Sequence, residues 1–336
     1  MKKIILIKPV FVFFILTLLI LFSLAIGRYD LGLGRLVTIF LSYFGVSGYE
    51  SPETYQSIVF LVRLPRILLA VLIGGGLAAS GAAFQTIFRN PLVSPEILGV
   101  SAGAGFGAAL AMLANLPAWS VQLSALVFGL MAVAMTLGVA RAAPRSEITA
   151  MLLGGIVVTA LFGAFIGVIK TLADPWNTLP SIVFWLLGSL GRASARDVLM
   201  VLPATILGLS LMFLYRFRVE TLSAGDDEAR TMGVDPIKIR LLVVLAATLI
   251  TAVGVSVSGM VGWIGLVTPH LARICGGTSF PTLLVRSIAF GAVLTLAIDD
   301  LIRSVEVAEL PLGVMTALIG TPIFLILLPK TRRVWR

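Results

Sequence analysis

Residues able to do bond chemistry are scarce in this chain. It has one histidine, His270, and one cysteine, Cys275. A catalyst needs a nucleophile beside a base, or a set of metal ligands, converging on one cavity. A lone His270 in Thr268-Pro269-His270-Leu271-Ala272-Arg273 reads instead as a packing hydrogen bond or a cation at a helix end. A lone Cys275 excludes an internal disulfide and any multi-cysteine metal site. No lysine follows a glycine, so no phosphate-binding Gly-Lys-Ser/Thr loop exists. Gly103-Ala104-Gly105-Phe106-Gly107 lacks the spacing and the preceding strand of a dinucleotide loop, and reads as helix packing. Asp299 and Asp300 are followed by Arg303 at ion-pairing distance along a helix. No acid falls inside the long uncharged runs, where an ion-coupled secondary transporter would place one. The chain therefore reads as carrying no catalytic residues, no cofactor and no metal of its own; any ATP and magnesium must be bound by another chain.

The elements that position these residues are membrane helices. Of 336 residues 59% are hydrophobic and only 12% charged, with a mean hydropathy of +1.07. A soluble fold cannot hide so much apolar surface. Uncharged runs cover 9–27, 67–88, 97–140, 148–169, 198–215, 241–272 and 310–329; about 20 helical residues suffice to cross a bilayer core. The first run is read as a span, since it exceeds a signal-peptide apolar stretch, although Ser23-Leu24-Ala25 faintly resembles a cleavage site. Asn115-Leu116-Pro117 splits 97–140 into a helical hairpin. Gly259, Gly262, Gly265 and Pro269 divide 241–272 into a full span and a short broken segment. Residues 282–303 add another span. The reading is all-α, one polytopic membrane domain over 1–336 with about ten transmembrane helices.

Small residues recur every fourth position at Gly99, Gly103 and Gly107, at Gly74, Ala78 and Ala82, and at Gly155, Thr159, Gly163 and Gly167. Such ladders allow close helix packing in lipid. With ten spans and an inside amino terminus, 17 of the 25 Lys and Arg fall on the inner side, so both termini are expected in the cytoplasm. The formal charge of +9 thus belongs to membrane topology rather than to nucleic-acid binding. Between Arg218 and Arg240 lies a polar segment, 222–235, containing Gly225, Asp226, Asp227, Glu228, Ala229, Arg230 and Gly233. Its leading acids and small residues suit a short helix from near Gly225 to near Gly233, whose small-residue face presses on another protein.

Several segments resemble the permeases of type II ABC importers for iron-siderophores, haem and cobalamin. They are Arg63-Leu64-Pro65-Arg66, Ser80-Gly81 with Gln85, Asn90-Pro91-Leu92, Leu98-Gly99-Val100-Ser101-Ala102-Gly103, Gly262 through His270, Glu309 through Val314, and Thr316 through Pro322. The resemblance runs in order over nearly the whole chain. It implies ten helices per subunit in a prokaryotic inner or plasma membrane. It also implies a second copy around a central pathway, two cytoplasmic ATPase subunits and an external substrate-binding protein. By the same resemblance, 222–235 is the coupling helix seated in the ATPase, and Arg63, Arg66 and Arg303 dock the binding protein. Asn90 and Leu92, with Ile148 and Thr149, form the cytoplasmic gate. The chain departs from the cobalamin permease in a shorter Arg303-to-Glu309 spacing and an added acid, Glu306. Cargo in such importers includes ferric siderophores, haem, cobalamin and oxyanions such as molybdate. A stand-alone secondary transporter and an intramembrane enzyme are the competing classes.

Overall fold

The computed structural model describes residues 9–27, 31–142, 147–276, 279–305 and 310–331, and among them every regular element is helical. In chain order they are α1 (Pro9–Ala25), α2 (Gly32–Tyr43), α3 (Glu53–Ser57), a π-helical turn (Ile58–Arg63), α4 (Leu64–Ile87), a 3-10 turn (Pro95–Leu98), α5 (Val100–Leu113), α6 (Ala118–Ala142) and α7 (Glu147–Leu172). There follow α8 (Thr178–Leu187), α9 (Ala195–Leu214), α10 (Arg216–Ala224), α11 (Asp226–Thr231), α12 (Pro236–Ser258), α13 (Ile264–Ile274), α14 (Phe280–Ser304) and α15 (Leu312–Thr331). Lys2, Lys3, Lys8, Arg28, Arg145, Glu306, Glu309, Arg332, Arg333 and Arg336 lie outside the described residues.

Six helical stretches are long and apolar enough to cross a membrane: Glu53–Ile87, Ala118–Ala142, Ile148–Leu172, Ala195–Leu214, Pro236–Ser258 and Phe280–Ser304. Shorter apolar helices occupy Phe11–Ala25, Val100–Leu113, Thr178–Leu187 and Leu312–Leu327. Both expected interruptions are present. Asn115, at φ 54°, ends the α5–α6 hairpin turn, and Gly259 and Trp263, at φ 70° and 69°, separate α12 from α13. Pro65 stands in the first turn of α4, directly after the π-helical turn, so its missing N–H falls where the helical pattern changes and the stretch from Glu53 to Ile87 stays continuous.

The centre of the bundle is α4, α12 and α14. Of the apolar window of α12, 72% is buried, against 22% for α9 on the periphery. Lipid offers no hydrophobic drive for helix association, so these contacts depend on close backbone approach at small residues. Gly74 of α4 lies on the Gly291 carbonyl of α14, and Gly291 lies reciprocally on the Gly74 carbonyl and Ala78. Gly103 and Gly107 of α5 meet the Phe128 and Ser124 carbonyls of α6, and the Ser124 hydroxyl donates 2.8 Å back to the Gly107 carbonyl. The α7 ladder behaves differently. Gly155 packs on the Ile97 carbonyl, whereas Gly163 and Gly167 have nothing within 4 Å, because that face of α7 meets no other helix among the described residues.

The tightest approach joins α4 to α13, where the space a side chain would need at Gly81 is filled by the Gly265 backbone. A backbone cannot swing aside, and overpacking of this kind costs about 1–3 kcal/mol. Gly81→Leu should therefore lower the midpoint of thermal unfolding in detergent by several degrees. Gly138→Leu, on an open face of α6, should leave the midpoint unchanged. Equal midpoints for the two variants would refute this account.

Candidate functional site

Three groups of residues emerge, two at opposite ends of the bundle and one between them. Where α4 begins and α14 ends, Arg63, Arg66 and Arg303 converge, as their shared location in the sequence reading implied. They do not project outward: all three side chains are buried or nearly so, and they meet internal partners. Arg66 holds Asp299 in a two-pronged pair, with Nε 3.0 Å from each carboxylate oxygen. Arg303 reaches Asp299 Oδ2 at 3.3 Å and also pairs with Asp300, which accepts a 2.7 Å hydrogen bond from the Ser23 hydroxyl. Arg63 donates to the Leu24 and Ala25 carbonyls at the end of α1, at 2.6 and 2.9 Å. Three cations and two carboxylates thus tie α1, α4 and α14 together. The pairing of Arg303 with both acids follows from their positions on one helix face.

At the opposite end the polar segment forms a helix, α11, bounded by Gly225 at φ 144° and Gly233 at φ 76°. Its small-residue face is split: Gly233 is exposed with open space beside it, while Gly225 and Ala229 turn the other way from the sequence expectation. Ala229 is fully buried in its own chain, and Glu228 and Arg89 fill the space beside Gly225. The exposed face consists of Asp227, Glu228, Arg230, Thr231 and Met232, the last 59% exposed. Asp226 faces inward and accepts from Arg240 Nη2 at 2.8 and 3.0 Å, which fastens α11 to the first turns of α12. Asp235 caps α12 by accepting from the Ile237 and Lys238 N–H groups at 3.1 and 3.2 Å. The Lys238 N–H is the main reason its carboxyl sits below the usual range.

Beside α11 lies the turn Arg89-Asn90-Pro91-Leu92. Arg89 has φ 49°, Asn90 Oδ1 accepts from the Leu92 N–H at 2.9 Å, and Leu92 is 56% exposed. The turn is anchored by α13: buried His270 donates through Nε2 to the Pro91 carbonyl at 2.9 Å. Arg273 bonds to Gln85 Oε1, and Gln85 Nε2 donates 3.3 Å to the Leu266 carbonyl. His270 is thus the packing hydrogen bond that its isolation suggested. Ile148 and Thr149 stand on the first turn of α7, Ile148 packed against the core and Thr149 exposed.

Sequence reasoning missed two acids. Glu96 falls between two apolar runs and looks like a loop charge. The turn that carries it folds back into the bundle, with Pro95 against Gly265 and the Leu98 carbonyl accepting 2.9 Å from Thr136 of α6. Glu220 was missed too; its carboxylate caps α14 at the Phe280 N–H.

The model of the FecCD transport family matches residues 15–330. The chain is 35% identical to a molybdate import system permease protein of Haemophilus influenzae, covering 93% of this chain and 92% of that one. It is 37% identical to a permease protein of Helicobacter pylori named for iron chelatin transport, over 85% of this chain and 86% of the other. A solved structure, titled as a metal-chelate type ABC transporter in an inward-facing conformation, superposes with a TM-score of 0.86 at 33% identity, covering 96% of this chain and 98% of that one.

Removing one partner of a buried ion pair leaves an uncompensated charge, at about 3–5 kcal/mol. Asp299→Leu should destabilise the protein by that amount in detergent unfolding, and adding Arg66→Met should recover part of the loss. If Asp299→Leu unfolds like the unmodified protein, the cluster does not hold these helices together.

Proposed function

The chain belongs to the FecCD transport family as an ABC-importer permease, and we propose that its cargo is a metal chelate of the ferric siderophore, haem or cobalamin class, delivered by an external substrate-binding protein. It is a multi-pass membrane protein, and the ATP that drives it is hydrolysed by a separate ATPase. The proposed assembly pairs two copies around a central pathway with two cytoplasmic ATPase subunits, in a prokaryotic inner or plasma membrane, with both chain ends in the cytoplasm. The unoccupied face of α7 around Gly163 and Gly167 supports a second copy or a pathway there. The iron chelatin relative and the metal-chelate transporter structure favour chelate cargo; the molybdate relative supports the alternative, an oxyanion.

The observation that carries the mechanism is α11. It presents an exposed polar face with Met232 at its end, and the pair between buried Arg240 and partly exposed Asp226 fastens it to the most enclosed span. A push on that face by the ATPase is transmitted to α12 through a rigid ion pair rather than lost in a loop. Arg89 lies beside Gly225, so the same push reaches the Asn90–Leu92 turn, the proposed cytoplasmic gate together with Ile148 and Thr149. At the far end the substrate-binding protein is proposed to dock over Arg63, Arg66 and Arg303. Their internal pairing means that incoming carboxylates would share cations already held by Asp299 and Asp300.

In sealed vesicles holding the whole assembly, uptake should require ATP and persist when ion gradients are collapsed; the reverse dependence would indicate a secondary transporter. Met232→Asp should cut ATP-dependent uptake about tenfold or more, with loss of ATPase co-purification, because about 1.4 kcal/mol at a contact corresponds to tenfold in affinity. Unchanged uptake would remove α11 as the contact. Ala229→Trp tests something else, since its site is inside this chain and it should misfold.

A further inference from the structure

Glu96 is the one acid that the proposed mechanism leaves without a role although the fold carries it into the bundle. Its depth follows from its neighbours. A methyl group at Gly262 would sit 3.6 and 3.7 Å from its two carboxylate oxygens, and Pro95 beside it touches Gly265, which in turn lies on the Leu77 carbonyl of α4. Leu77 is about 15 Å along α4 from Ile87 at 1.5 Å per residue, so the carboxylate stands near the middle of a span rather than at its end.

At that depth an ionised group is costly unless it is paired or wet. Among the described residues no donor and no cation reaches the Glu96 carboxylate, and the side chain, although closely surrounded by protein atoms, keeps part of its surface accessible. Its turn is bounded by α7, through Ile97 on Gly155 and Gly99 on Val158 and Thr159, and by the Gly259–Trp263 connection. Trp263 holds that connection in a left-handed conformation, with its ring against Gly320 and 6.2 Å from Phe324 of α15. The site is therefore a lone carboxylate between α7, which also brings the Thr159 hydroxyl to Gly99, and the α12–α13 break.

We propose that Glu96 faces the translocation pathway and makes it cation-preferring, so that the cargo passing it presents cationic or hydrogen-bond-donating groups rather than the surface of a bare oxyanion. This rests on the permease reading above and counts against a bare oxyanion as cargo. A fixed charge on the wall of a narrow low-dielectric passage concentrates counter-ions and repels co-ions. It acts on whatever enters, whether or not it binds tightly.

Two measurements on the whole assembly in liposomes test this. In the first, the gate is opened with Asn90→Ala and Leu92→Ala, and leakage of rubidium is compared with that of chloride. Rubidium should leak faster, and adding Glu96→Gln should lower the rubidium-to-chloride ratio about fivefold or more. A ratio unchanged by Glu96→Gln overturns the proposal. If the opened variant leaks neither ion, the gate assignment has failed instead, and the second measurement decides. There, Glu96→Cys is made in a Cys275→Ala background and treated with membrane-impermeant cationic thiosulfonate, with and without ATP. Reaction in either condition supports a water-filled pathway at this position. A folded, monodisperse variant that stays unreactive in both conditions overturns it.

Discussion

The contact on which the rest of this fold depends is the approach of α13 to α4 at Gly81 and Gly265, where backbone meets backbone with no side chain between. In lipid, where apolar contacts gain nothing over solvent, such proximity is what makes helix association favourable. It also has a directional consequence. A half-length helix held mid-span must begin where the membrane offers its backbone no water, and non-helical backbone survives there only when buried in protein or lining a cavity. The Gly259–Trp263 connection meets that condition through its neighbours: the Ser189 N–H donates 2.8 Å to the Ser258 carbonyl, and the Gly259 N–H donates to Val255. From this anchored start α13 reaches Pro91 and Gln85, so the turn proposed as a gate is tied to a break in the middle of the bundle.

Much of this was legible in the sequence because the bilayer imposes one length scale. Span positions, the Asn115 break and the division of 241–272 all follow from run length and from where Gly, Asn and Pro interrupt a run. What escaped has physical causes. The helix Thr178–Leu187 is too short to register as a span and stops at Gly188, whose positive φ no run length reveals. Glu96 gave no signal in the sequence because fold-back is a tertiary event, visible only once Pro95 is seen against Gly265. The inward face of Ala229 was misjudged for a related reason. Small residues at helical spacing mark a close contact, but they do not say whether the partner is another protein or the same chain.

The arginines show the same ambiguity in electrostatic form. Three cations at one end of the bundle were readable as a patch awaiting an acidic partner, and spacing alone could not show that Asp299 and Asp300 would turn toward them. In a buried site, desolvation penalises any charge left alone, so the internal partners are a folding requirement before they are anything else. Two carboxylates against three guanidinium groups leave the cluster net positive, and Ser23 and the α1 carbonyls solvate the surplus with dipoles rather than charge. A fold that needs its cations neutralised can therefore still present a positive field beyond them.

The opposite end converts that static logic into transmission. Arg240 is almost wholly buried, yet it pairs with Asp226, whose side chain is about a third exposed; the link joins the surface helix to the enclosed span at a single short contact. On the proposed mechanism, displacement of α11 either carries α12 with it or breaks this contact. Breaking is the more expensive outcome for a small shift. On that mechanism the two helices move as a unit, and Arg89 alongside Gly225 puts the adjacent turn within reach of that movement.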